Sequence, residues 1–88
     1  MQQFVTLAIA STFEDELTLD TLSTTLVDGR LHASEVSSIA ARYLQTSNHL
    51  DIIISPDGKH ASTKSHSPGH VDQLKIVVIE TQLFVEHA

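Results

Sequence analysis

No cysteine occurs among the 88 residues. That excludes disulfides, thiolate metal sites and cysteine nucleophiles together. It fits a reducing compartment, and a cytoplasmic protein is expected. Glycine is scarce, with three residues, which leaves little material for a phosphate-cradling loop. No Walker-type loop, GxGxxG, GxSxG, HExxH or EF-hand pattern is present. No apolar run approaches the ~18 residues of a membrane-spanning helix. Met1-Gln2-Gln3 lacks the basic start of a signal peptide and leads straight into a strand pattern.

Positive charge is also sparse. Five basic residues, Arg30, Arg42, Lys59, Lys64 and Lys75, are scattered singly against eleven acidic ones, for a net charge of −6. Direct binding to nucleic acid needs several cations on one face, so it is not expected. An acidic surface suits a basic protein partner or plain solubility.

What is present is a globular balance, 41% hydrophobic and 18% charged, at a length that fits one domain spanning 1–88. Ser34 to Thr46 carries the clearest helical pattern. Val36, Ile39, Ala40, Tyr43 and Leu44 fall on one face, and Glu35, Ser38, Arg42 and Gln45 on the other. Ser34 is the expected N-cap. Strands are expected at Phe4–Ala10, Leu50–Ser55, Leu74–Glu80 and Leu83–His87, from alternating or continuous apolar runs. Phe4–Ala10 is mostly apolar on both faces, which predicts an interior strand covered on both sides, or one covered by a partner.

Three segments read less simply. Ser11 to Glu16 has capping-box spacing, so it is either a short helix start or an exposed acidic turn. Leu19, Leu22 and Leu26 have helical spacing, but the threonines around them disfavour a helix interior. A strand is expected for Thr24–Val27, turning at Asp28-Gly29 into a second strand at 30–33, and Leu17–Ser23 stays open. Pro56-Asp57-Gly58 is a turn in which Asp caps and Gly takes positive φ. It opens a polar loop or hairpin at 56–73. The fold expected is a small α+β domain, a mainly antiparallel sheet with one principal amphipathic helix packed on one face.

The chemistry-bearing residues are few in kind. Histidine is the over-represented polar type, and His60, His66 and His70 share one polar segment. Imidazoles so placed can bind Zn²⁺ or Ni²⁺, but the spacing matches no structural zinc class, and no metal or other cofactor is expected. Serines near these histidines give no sign of a locked base or an oxyanion donor, so no enzyme is expected. Glu14, Asp15, Glu16 and Asp20 have no basic neighbour until Arg30, and they form the expected partner-binding surface, steered onto a cationic groove. A small acidic domain can occupy a nucleic-acid path in this way and act as an inhibitor. In size and charge the chain resembles virus-encoded inhibitors of bacterial immune complexes (anti-CRISPR proteins). That likeness is one of class and rests on no shared motif. The alternatives are a metal- or ligand-binding protein using the histidine segment, and a small oligomeric subunit. A homodimer is expected through Leu83–His87, which has bulky apolar groups on both faces.

Overall fold

A computed structural model describes residues 1–44, 50–67 and 70–82. Among the described residues, five strands form one antiparallel sheet in the order β2-β1-β5-β4-β3, and a single helix packs against it. The strands are β1 (Gln2–Phe13), β2 (Glu16–Val27), β3 (Leu50–Ile54), β4 (His60–Ser67) and β5 (His70–Gln82); the helix α1 is Ala33–Leu44. The fold is a small α+β arrangement.

The first hairpin dominates the sheet. β1 and β2 pair without interruption from Gln2↔Val27 to Phe13↔Glu16. The stretch left open at 17–23 is therefore strand, and the reason is pairing. A helix there would bury Leu22 and Leu26 but leave β1 without a neighbour, with its backbone groups unpaired on that side. Ser11–Glu16 contains no helix start. β1 runs on through Phe13, and Glu14-Asp15 is a two-residue turn with φ of 49° and 67°. Positive φ at both central residues matches the right-handed twist of the flanking strands.

The strand expected after Asp28-Gly29 does not form. Gly29 N donates to Leu26 O and Arg30 N to Val27 O, which turns the chain off the sheet. Leu31 N then donates to Gly58 O at 2.9 Å, Arg30 Nη2 to Pro56 O at 2.5 Å, and Lys59 Nζ to Gly29 O at 2.9 Å. The β2–α1 connection is thus pinned to the β3–β4 turn. Gly58 takes φ +71°, and an added Cβ would meet Arg30 Cβ at 2.8 Å, so both the conformation and the close approach require glycine there. Asp57 accepts from Ser55 Oγ at 2.6 Å and from Lys59 N at 2.9 Å, as a turn-capping Asp does.

The helix begins one residue earlier than Ser34. Val36 N donates to His32 O at 3.1 Å, so His32, not Ser34, holds the cap position. Ser34 Oγ instead donates to Glu35 Oε2 at 3.0 Å. Positions 45 and 46 of the expected helix lie outside the described residues.

Strand alternation sorts the side chains. Val5, Leu7 and Ile9 of β1 and Leu74 and Ile76 of β5 point to the helix and are buried, and they meet Val36, Ile39, Ala40 and Leu44 of α1. Each fully buried aliphatic side chain contributes roughly 1.5–3 kcal/mol. Ala61 and Thr63 of β4 are buried on the same side, so the polar 56–73 segment is a hairpin contributing to the core. Of the two expectations for β1, cover of both faces within the chain is not met among the described residues. β1 is interior in strand order, but the single helix covers one face, and Phe4 on the other remains 45% exposed. The expected strand at 83–87 lies outside the described residues. β5 itself is interior, between β1 and β4.

Candidate protein-interaction surface

The four acidic residues singled out in the sequence fall into two places. Glu14 and Asp15 form the exposed tip of the first hairpin, and Glu16 opens β2 beside them. The tip is anchored from β5: Glu14 N donates to Asp72 Oδ1 at 3.3 Å, and Asp72 is 3% exposed. Asp20 lies four residues further along β2, about 13 Å from Glu16 at ~3.3 Å per residue. By alternation Glu16 and Asp20 share the helix side of β2, and Leu17 and Leu19 share the uncovered side.

Asp20 is held on two sides. Tyr43 Oη donates to Oδ2 at 2.6 Å, and Thr21 N donates to Oδ1 at 2.8 Å. The Tyr43 hydroxyl, then the Thr21 amide, holds the Asp20 carboxyl below its ordinary value. The same bond raises Tyr43, because the neutral phenol is the donor. No other hydrogen bond in the described structure joins α1 to β2.

α1 packs on β1, β3, β4 and β5 but stands off β2. The gap is a groove of about 290 Å³ lined by Leu22 and Thr24 of β2 and by Ser34, Glu35, Ser38, Ile39 and Arg42 of α1. The residues expected on the solvent side of the helix thus form one wall of a groove. Sequence periodicity missed this because it reports which helix face is apolar, not which flank the sheet leaves uncovered.

On the uncovered side of the sheet, Leu19 is 74% exposed, Ile53 70% and Leu17 64%. Ala8 and Ala10 leave a shallow hollow of about 610 Å³ between Leu19 and Val77, with Lys75 at its rim. A second hollow of about 260 Å³ lies between Ile53, His60 and Lys75.

The histidine segment spans the β4–β5 hairpin. His60 and His66 sit six residues apart on β4, roughly 20 Å along the strand, and position 70 pairs with position 67. The side chains of His66 and His70 lie outside the described set. Among the described residues no three His, Asp or Glu side chains converge on one point. Ser55 serves the turn, donating to Asp57 and accepting from His60 N at 3.0 Å. No helix of the described structure is long and apolar enough to cross a membrane. Comparison with protein-family models, with curated proteins and with solved structures finds no match.

Proposed function

We propose that this chain is a small non-enzymatic protein-binding module whose acidic surface engages a basic protein partner. The observation that carries the reading is charge segregation. Residues 1–29 hold Glu14, Asp15, Glu16, Asp20 and Asp28 and no Lys or Arg, whereas residues 30–88 hold six acidic and five basic residues. Asp28 is paired with the terminal ammonium at 3.2 Å, so the unneutralised charge lies toward the hairpin tip. Such a field steers association with a cationic surface.

The turn adds support. Glu14 and Asp15 occupy left-handed positions where Asn-Gly is favoured. Left-handed backbone costs an ordinary residue roughly 1–2 kcal/mol. Asp tolerates this backbone, as Asp15 and Asp28 both do, so the cost falls on Glu14, and a long acid kept there fits a role for its charge. A module of this kind, acting in the cytoplasm on a cationic nucleic-acid path, is an inhibitor of the complex that owns the path. A mobile-element or viral origin is part of this reading.

The test is a partner captured from the native host, followed by affinity measurement on the purified pair. Glu14, Asp15 and Glu16 reversed together to Lys should weaken binding at least tenfold, about 1.4 kcal/mol. Raising salt should weaken it further. Asp51→Lys, exposed on the opposite edge strand, should change little. Salt-independent binding that survives the triple reversal overturns the reading.

A second reading, self-association, is favoured by the exposed Leu17, Leu19 and Ile53 on the uncovered sheet face. Light scattering that reports a monomer at ~100 µM, where mass action favours weak dimers, would exclude it.

A further inference from the structure

We propose that the outer edge of β2, with the groove between β2 and α1, binds an extended cationic segment of another protein as a sixth strand. This rests on the protein-binding reading above and says how the partner is held.

β2 ends the sheet. Its two-residue hairpin turn fixes which backbone groups are used. Phe13↔Glu16 closes the turn, so the even-numbered residues of β2 exchange hydrogen bonds with β1; Asp28 N donating to Met1 O at 2.6 Å continues that phase. The odd-numbered residues, Leu17 through Val27, therefore aim their N–H and C=O groups outward. Thr21 N is taken by Asp20 and Val27 O by Arg30 N. Leu17, Leu19, Ser23 and Thr25 make no such contact with other described residues.

Natural edges are blunted by Lys, Pro, bulges or brevity. Of such devices β2 has one, the inward-pointing Asp20 that takes the outward Thr21 N–H, and the rest of its edge is left open among the described residues. The strand is 12 residues long, carries no Lys, Arg or Pro, and its register with β1 is unbroken. The other edge strand, β3, has five residues.

The groove lies where an added strand needs it. A sixth strand would run about 4.8 Å outside β2. Its alternate side chains on the helix side would enter the space between Leu22 and Ile39, walled by Ser34, Ser38 and Glu35. Main-chain bonds to an edge, with a pocket for alternate side chains, are the elements of strand-addition recognition.

Charge selects the occupant. Glu16 and Asp20 lie along the helix side of β2, Glu35 is on the groove wall, and the hairpin tip adds Glu14 and Asp15. Arg42 is the one cation in the lining, and its charge favours the Asp20 carboxylate. A second copy of β2 carries acids and no Lys or Arg, so it brings no opposite charge to Glu16 and Asp20. A segment alternating basic and small apolar residues sets its basic side chains on the helix side, against Glu16, Asp20 and Glu35, and its apolar ones beside the exposed Leu17 and Leu19 on the uncovered side.

The test uses isotope-labelled full-length protein and a short peptide alternating Lys and Val, followed by amide NMR. Three comparison peptides are its Glu-Val counterpart, a version N-methylated at alternate residues, and a scrambled Lys-Val sequence with proline at its centre. The Lys-Val peptide should shift the amides of Ser23, Thr25 and the Ser34–Arg42 flank and slow hydrogen exchange at Ser23 and Thr25. The other three should bind at least tenfold more weakly. Ser23→Pro removes an outward N–H without touching the β1 pairing and should abolish the shifts; the N-methylated peptide asks the same question with the protein unaltered. Shifts confined to Glu14–Glu16 and indifferent to N-methylation overturn strand addition while leaving the acidic-surface reading in place. Equal binding of the Lys-Val and Glu-Val peptides at β2 overturns the cationic partner and the acidic-surface reading together. Concentration-dependent broadening of β2 amides without peptide overturns the proposal in favour of a second copy.

Discussion

The phenol of Tyr43, near the C-terminal end of α1, donates to Asp20 on the edge strand β2 at 2.6 Å. The contact closes one end of the groove where helix and strand otherwise stand apart. It also leaves Asp20 Oδ1 to hold the outward amide of Thr21. One carboxylate therefore ties the helix to the edge and covers part of that edge.

The pair predicts opposite pH behaviour for its two members. Asp20 is held below its ordinary value by the Tyr43 hydroxyl and then the Thr21 amide. Its contribution is complete above about pH 4, the unfolded carboxyl value, and is lost as pH falls through the lower folded value. Tyr43 is raised, first by the same bond and then by burial. Its contribution is complete below about pH 10 and is lost as pH rises through the raised folded value. In Tyr43→Phe the Asp20 titration midpoint, followed by carboxyl-carbon NMR, should move up toward the ordinary range. An unmoved midpoint would show that the bond does not hold the carboxylate.

Ile39 is buried and Arg42, three residues on, is exposed. Ile39→Asp places a charge against Leu22 and the core and should cost at least 3 kcal/mol, on the order expected for an unpaired buried charge, or unfold the chain. Arg42→Ala should change stability by less than ~0.5 kcal/mol. Urea denaturation of both decides it, and equal midpoints would contradict the packing described.

Thr63 Oγ1 is buried without a hydrogen-bond partner among the described residues. Thr63→Val replaces the hydroxyl by a methyl of similar size on a strand, where Val is well suited. The substitution should raise stability by about 1 kcal/mol, because an orphan buried hydroxyl costs its desolvation. A lower midpoint in denaturation would show that the hydroxyl has a partner in solution.

The hairpin tip should trade stability for function. Replacing Glu14-Asp15 by Asn-Gly relieves left-handed strain chiefly at Glu14 and should stabilise by about 1 kcal/mol. The same change removes two acids and should weaken the basic partner. A thermal melt and the partner's affinity test the two halves; a rise in melting temperature with unaltered affinity would remove the tip from the interface.

Much of the architecture could be read directly from residue patterns. The alternation of Val5, Leu7 and Ile9 marks a strand, and the spacing of Val36, Ile39, Ala40 and Leu44 marks a helix, because local periodicity is set by backbone geometry alone. The Pro56-Asp57-Gly58 turn was legible for the same reason: its φ demands are met by those three residues without help from the rest of the chain. The acidic quartet was visible as a run without cations. Its division was not, because a strand separates residues four apart by about 13 Å where a helix would bring them together.

Tertiary structure decided everything that depends on a neighbour. Leu19, Leu22 and Leu26 fit a helix as well as a strand until β1 supplies twelve paired positions. Asp28-Gly29 suits a hairpin until the β3–β4 turn captures Leu31 N. Which strand stands at the edge, and that a groove opens between the helix and β2, follow from long-range pairing among segments far apart in the chain. Residue pattern fixes the period of each element; the choice of partner is a global competition for backbone hydrogen bonds and core area, and only the assembled sheet resolves it.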